Sequence, residues 1–585
     1  MHNKKRVFIV FIGIFALICY ISISYARLVV PQPNLFIYRG DGEAAVFTYH
    51  DNGTKHECAL DGDFYNAEGV IINGQSLNVR FKLLPDSIGA CFVNEETVSE
   101  NCVYDVGEWC NFTDVNRIYV ITLPAKGLSF YLYALGMFVF LSVLTIGIYI
   151  HRKEVLSLFS AVKDIGAKAF LVSFVVTLVS CIMFYGCDFV PIVGSVNLVQ
   201  KGIDPYQLSA AFNAYFERAF MYWPYNPGML IFWDVVMSIN RFFCNVYINY
   251  YMWLQCILVK FINILLLNGT VVIVLSVIKE KGFVGKEKLT ELYYWSVFNP
   301  CVFWVAIIFI QFDMFAVFFV TLGAAICSKT KKTWWIGIAV GIIGCLAKQQ
   351  EYLCIPILLL ELFVLFYSAL QDEKCVIGSL IELGKALVAF IVTVILGIAI
   401  FYIKGGAVFE TLSNNPQSGR IWYGTVNLGA NAFVSAFMLV LMMLLWMQQI
   451  SLKHEKIVVL SSFLYFGLLQ MALAFSIAST PGSYMMLAPA MTVVYCLTHD
   501  RLQRLLISCS SIMICTVEIF SAIGDITRSA YFLGKDPYFT NLYVRLGNTP
   551  YPSILFSISH ATMLAFVILL YKKQLLLSLR GNGIY

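Results

Sequence analysis

An all-α polytopic membrane bundle, with a small β-rich extracytoplasmic domain inserted after its first helix, is the fold class this sequence predicts. Three observations predict it. The chain has 585 residues, of which 59% are hydrophobic and 13% charged, with a mean hydropathy of +0.76. A soluble protein of that size has too much water-facing surface to hide so many apolar side chains. Apolar runs recur along the chain, each about long enough to cross a hydrocarbon core of ~30 Å at 1.5 Å per residue. No strand-like alternation repeats through these runs. Lipid offers backbone N–H and C=O groups no partner outside their own segment, so the crossings are helices.

The first run, Val7–Ser24, follows the basic start Lys4-Lys5-Arg6. It is long for a signal-peptide core, and the Tyr25-Ala26-Arg27 that follows is a poor small-residue cleavage site, so 1–24 reads as a retained membrane anchor. The remaining basic residues alternate by loop. Arg152/Lys153/Lys163/Lys168, Lys279/Lys281/Lys286/Lys288, Lys329/Lys331/Lys332, Lys374/Lys385, Lys453/Lys456, Arg501/Arg504 and Lys572/Lys573/Arg580 fall in every second loop. By the positive-inside rule these loops face the cytoplasm with both termini, which gives an even number of crossings, about fourteen. The stretch 228–278 holds one crossing or three. The net charge of +5 therefore reads as topology and carries no case for nucleic-acid binding.

Residues 25–126 are polar and rich in turn signals, and they lie outside by the charge pattern. Val70-Ile71-Ile72 and Leu77–Phe81 flank Asn73-Gly74, the pattern of a β-hairpin, and Ile118–Leu123 is a further strand. Four of the seventeen cysteines, Cys58, Cys91, Cys102 and Cys110, fall here. Four outside cysteines allow three pairings, among which sequence does not choose. Asn52-Gly53-Thr54 and Asn111-Phe112-Thr113 are glycosylation sequons if the host is eukaryotic. The expected division is an anchor (1–24), the β-rich domain (25–126), a second transmembrane helix with cytoplasmic linker (127–168), and a multi-helix membrane domain (169–585).

The third span, about Phe170–Cys187, reaches the outer surface at Asp188. A carboxylate at the outer end of a span can be partly desolvated while facing a groove, which suits a general base. Alone, it is more often an ordinary helix-end aspartate; the residues that follow single it out. They are Gly202-Ile203-Asp204-Pro205-Tyr206, then Tyr222-Trp223-Pro224-Tyr225-Asn226-Pro227, with Gln207–Phe220 between them patterned as a surface amphipathic helix. Asn299-Pro300 then precedes a span that turns outside at Gln311-Phe312-Asp313, and Lys348-Gln349-Gln350 marks another outer turn. Further outer loops carry Gly405-Gly406, Asn414-Asn415-Pro416, Arg420 and Tyr484.

Over about residues 168–500 this order of motifs resembles the GT-C superfamily of polytopic glycosyltransferases, above all the members that use polyprenyl-phosphate mannose or a related lipid-linked sugar. Asp188 matches their essential aspartate after an early span. Gly202–Tyr206 matches their Gly-x-Asn/Asp-Pro-Tyr, and Tyr222–Pro227 their Tyr/Pro-rich segment. Asn299-Pro300, Gln311-Phe312-Asp313 and Lys348 match Asn-Pro, Gly-Gln-x-Asp and an outer lysine. Ile310 replaces the glycine, and the Pro-Pro pair is split into Pro224 and Pro227. The resemblance implies a polyprenyl-phosphate hexose donor, mannose being the sugar it points to, and a glycan, lipid or protein acceptor. It also implies transfer with inversion on the extracytoplasmic face. Asp188 would be the base. Lys348 and Arg420 would face the leaving phosphate with Gln311 and Gln349 as hydrogen-bond partners, and Asp313, Tyr206 and Tyr484 would line the cleft. For Lys348 the plain alternative is a snorkelling helix-end lysine, and for Asp313 a helix terminus.

The seven histidines are scattered without metal-ligand spacing, so no resident metal or other cofactor is expected, although a divalent cation beside Asp188 stays compatible. No nucleophile-elbow motif supports Ser-His-Asp chemistry. Two other readings remain: a transporter or flippase for a lipid-linked or small solute, and a lipid-linked-glycan ligase. A transporter places buried charges and broken helices near the membrane midplane, and Glu361 and Glu518 are the exceptions to a pattern of polar residues at outer span ends. The plasma membrane is the expected location, with the endoplasmic reticulum as alternative.

Overall fold

The computed structural model describes residues 2–29, strand segments within 35–122, and 128–183, 226–243, 248–308, 313–347, 350–371 and 376–401. It further describes 425–427, 433–435, 458–476, 485–498 and 500–521, with single residues 195, 196, 199, 206 and 558. The described chain is mostly helical. Five helices are long and apolar enough to cross a membrane: Val10–Val29, Leu128–Ile150, Ile257–Glu280, Tyr352–Leu370 and Val376–Ala399. Shorter apolar helices include Ala167–Ser180, Met314–Cys327 and Leu487–Leu497.

In chain order, α1 (His2–Val29) leads to strands β1 (Leu35–Ile37), β2 (Phe47–Asp51), β3 (Thr54–Cys58), β4 (Leu77–Lys82), β5 (Ser87–Val93), β6 (Cys102–Val103), β7 (Trp109–Val115) and β8 (Arg117–Thr122). The sheet order β1-β8-β5-β6 is antiparallel throughout, and β2 pairs with β3. The strand expected at Ile118–Leu123 is β8. β4 covers the expected Leu77–Phe81 strand, but its described partner is β7, in the register Phe81↔Cys110. The proposed hairpin partner at 70–72 lies outside the described residues.

The helices that follow are α2 (Leu128–Ile150), α3 (Arg152–Ser157), α4 (Val162–Ile165), α5 (Ala167–Met183), α6 (Pro227–Phe243), α7 (Ile248–Glu280), α8 (Leu289–Val297) and α9 (Pro300–Phe303). A π-turn at Trp304–Ile308 extends α9. Then come α10 (Met314–Cys327), α11 (Trp334–Cys345), α12 (Ile355–Leu370), α13 (Val376–Val394), α14 (Val458–Ser476), α15 (Leu487–Leu497) and α16 (Arg501–Ser521). The expected third span starts three residues early, at Ala167 rather than Phe170. Gly166 at φ 83° ends α4 and leads directly into α5, where Lys168 is exposed at the helix foot. Two helices, α6 and α7, occupy the ambiguous stretch 228–278, and only α7 carries a full-length apolar window.

Contacts group the chain into two units. The first comprises Met1–Phe140, Gly194–Ser238 and Ile398–Asn415. In it α1 runs unbroken through Tyr25-Ala26-Arg27 and buries Tyr25, Ala26, Leu28 and Val29. Phe15 meets Phe138 edge to face at 5.6 Å. Val10, Phe11, Phe15, Leu128, Tyr131, Leu132 and Leu135 stay exposed. An apolar surface of this kind is costly in water and ordinary in lipid.

The second unit comprises Leu141–Val193, Ile239–Gly397 and Pro416–Tyr585. Its centre is α7, whose Ile264, Leu267, Val271, Ile273, Val274, Leu275 and Ile278 are fully or almost fully buried. α10 and α11 cross at backbone contact: a Cβ on Gly337 would sit 2.5 Å from Cys327 Sγ and 2.7 Å from the Gly323 carbonyl oxygen. Small residues allow such close approach, which is how helices gain packing where no hydrophobic effect drives them together. Loops assigned to the cytoplasm by charge meet at one end of this unit. Lys279 pairs with Asp164 at 2.5 Å, Lys329 pairs with Glu280, Lys331 Nζ donates to Ser379 Oγ at 3.0 Å, and Arg504 donates to Glu291 at 3.0 Å.

Candidate functional site

Of the residues chosen from sequence, Asp313 and Tyr206 are described; Asp188, Gln311, Lys348, Gln349, Arg420 and Tyr484 lie outside the described residues. So do Gln207–Phe220 and most of 404–429. Asp313 is wholly buried and immediately precedes α10, where a carboxylate faces the partial positive charge of a helix N-terminus. Its side chain makes no capping hydrogen bond, and its carbonyl accepts from Val317 N at 3.1 Å. Tyr206 belongs to the first unit, is buried, and packs edge to face against Phe401 with ring centroids 4.9 Å apart.

Two Asn-Pro pairs open helices; the third, Asn415-Pro416, lies outside the described residues. Pro227 starts α6 directly after the buried Asn226. Asn299 caps α9, with its Oδ1 accepting from Val302 N at 3.3 Å and Pro300 at the first helical position. The Asn299 amide also donates to Tyr495 at 3.0 Å and to Ser511 at 2.9 Å, and Tyr495 shares a 2.9 Å hydrogen bond with Ser508. These buried groups are mutually paired, which makes Asn299 a fastener of α9 to α15 and α16.

Among the described residues, Asp234, Glu361 and Lys260 are buried charged-type side chains inside apolar helices. In the first unit Asp234 of α6 accepts from Tyr20 of α1 at 2.8 Å, and Tyr20 also meets Ser238 at 3.0 Å. In the second unit Glu361 of α12 is wholly buried, and among the described residues neither carboxyl oxygen has a hydrogen bond. The nearby Ser462 hydroxyl donates instead to the Val458 carbonyl at 3.2 Å.

The third is Lys260 of α7, also wholly buried. Its Nζ donates to the Ser180 carbonyl at 3.1 Å and lies 3.5 Å from the Ser180 hydroxyl. One turn on, Asn263 Nδ2 donates to the Ala306 carbonyl inside the π-turn at 2.9 Å. Neighbouring side chains of α7 therefore hold the end of α5 and the π-turn after α9. The first leads into Asp188; the second leads into Gln311 and Asp313. Twenty residues separate Lys260 from Glu280, about 30 Å of helix, so this turn of α7 lies well away from the ion-paired loops. Asp234 and Lys260 escaped the sequence reading, although each is a lone charge in an apolar window, the signal that could have found it.

No family model, no curated protein and no solved structure matches this chain.

Proposed function

We propose that the chain is a multi-pass membrane hexosyltransferase. It transfers a sugar from a polyprenyl-phosphate donor to an acceptor hydroxyl on the extracytoplasmic face. The reading extends to about fourteen crossings, with 25–126 folded as an outer β-rich domain. Asp188 takes the proton of the acceptor hydroxyl as its oxygen attacks the anomeric carbon. The bond from that carbon to the phosphate oxygen breaks, the electron pair leaves with the polyprenyl phosphate, and the centre inverts. Lys348 and Arg420 meet the charge that develops on the phosphate, and Gln311 and Gln349 hydrogen-bond to it. Asp313 and Tyr484 shape the cleft.

One observation carries the reading. The two segments that bear the aspartate motifs leave the bundle from roots held by adjacent side chains of one helix turn, Lys260 and Asn263. Motifs far apart in the chain thus start out from neighbouring places. The test is purified protein given a panel of polyprenyl-phosphate sugars. Asp188→Ala is expected to lower transfer by roughly 10²–10⁴-fold, the scale of losing an acid–base group. Transfer at the wild-type rate in that variant removes Asp188 from the chemistry.

A transporter is the second reading, favoured by the buried carboxyl of Glu361, which has no hydrogen bond among the described residues, and by the π-turns at Trp304–Ile308 and Ile395–Ala399 that continue α9 and α13 out of regular register. Solute uptake by sealed vesicles that depends on Glu361, without sugar transfer, selects it.

A further inference from the structure

We infer that Lys260 and Asn263 are positioning residues, which set where the two motif-bearing outer segments leave the membrane bundle. The inference rests on the sugar-transfer reading for its consequence in rate, but its geometry stands apart from that reading.

Lys260 lies three residues inside the apolar window Ile257–Glu280. A lysine so near the end of a span normally extends its stem and keeps its ammonium in water. Here the whole side chain is turned inward and shielded from solvent. Burying an ammonium is expensive unless something in the protein replaces water. The end of another helix supplies part of that replacement. Ser180 carries one of the last four carbonyls of α5, groups that have no partner within the helix and share its partial negative charge. Ser180 Oγ is itself tied back to the Thr177 carbonyl at 2.6 Å, so the acceptor is rigid.

The Asn263 contact follows the same logic. A π-turn breaks the regular carbonyl-to-amide register, and Asn263 supplies a donor to one of its carbonyls from across the helix pair. Asp188 is five residues beyond Met183, so no extended chain carries it more than about 18 Å from that helix end. Asp313 is five residues beyond Ile308. With leashes that short, moving either root moves what hangs on it. A misplacement of about 1 Å costs up to roughly 10²-fold in rate.

Lys260→Met, Lys260→Arg and Asn263→Ala are each compared with wild type in two ways. In the transfer assay, Lys260→Met is expected to lower kcat by 10–100-fold with little change in KM. Lys260→Arg keeps a buried cation and is expected to recover most of the rate. The second readout needs no activity: the rate at which an impermeant maleimide labels a cysteine at position 188 or at 311. Lys260→Met is expected to change labelling at 188 several-fold and leave 311 near its wild-type rate; Asn263→Ala is expected to do the reverse. Loss of both rates together, or of neither, overturns the assignment. If Lys260→Met fails to accumulate in the membrane, Lys260→Gln replaces it with the same expectations. Labelling that follows this pattern in a wild type inactive on every donor keeps the positioning role and discards sugar transfer. Unchanged labelling and kcat in an active protein discards the positioning role alone.

Discussion

At its loop end, the unit built around α7 meets charge with charge: Asp164 with Lys279, Glu280 with Lys329, and Glu291 with Arg504, whose near neighbour Arg501 stands 3.8 Å from the same carboxylate. Deeper along the same helices the pairing changes. Lys260 is bound to a helix end, and Glu361 has no hydrogen bond among the described residues. The loops are washed by water, which lowers the cost of bringing ions together and also the gain. The bundle interior excludes water, so a charge there must be held by backbone dipoles or retained for some reason other than stability. Interior charges are therefore the better pointers to function.

Three changes test that contrast, the largest effect first. Arg504 stands at the border of the two regimes: its guanidinium is 5% exposed and also donates to the Tyr495 and Thr498 carbonyls. Arg504→Ala strands these acceptors and is expected to destabilise by about 3 kcal/mol, read as a fall in the thermal midpoint in detergent. A loss as small as that of an exposed pair would erase the distinction. Glu361→Leu has the opposite sign: replacing such a buried carboxyl by an apolar side chain of similar size is expected to stabilise by about 1–2 kcal/mol, in the same measurement. A destabilised variant would mean that Glu361 holds the bundle together.

The smallest effect belongs to the Asp164–Lys279 pair. The hydrogen bond from Lys279 holds the Asp164 carboxyl below the usual carboxylate range, against a weaker opposing push from desolvation. Its folded value is depressed, so its contribution is present above about pH 4 and is lost as pH falls through the lower folded value. Asp164→Asn should flatten that acid limb. It should lower stability at neutral pH by the small amount that the limb carried, and the difference should vanish in about 1 M salt.

The interruption of apolar runs by basic clusters made the helical bundle and its loops legible, because hydropathy and charge act residue by residue. Positions such as Lys279, Lys329 and Arg504 were readable as members of one loop set, and they do meet at one end of the unit. Partners across the chain were not readable. β4 pairs with β7, a partner that no local signal announces, since a ladder depends on which edge the folded chain brings near. Lys260 looked like one more basic residue in an uncertain stretch, because nothing near it in sequence reveals that the end of α5 will accept its protons.

What the amino acids determined unaided is the class of solvent this protein needs and the places where the chain turns. Transfer of each apolar run into lipid is nearly independent of the other runs. Which buried polar group finds which acceptor was decided only by tertiary structure. A hydrogen bond over about 3 Å requires two helices to arrive together, and their meeting is a property of the packed bundle, absent from any single segment.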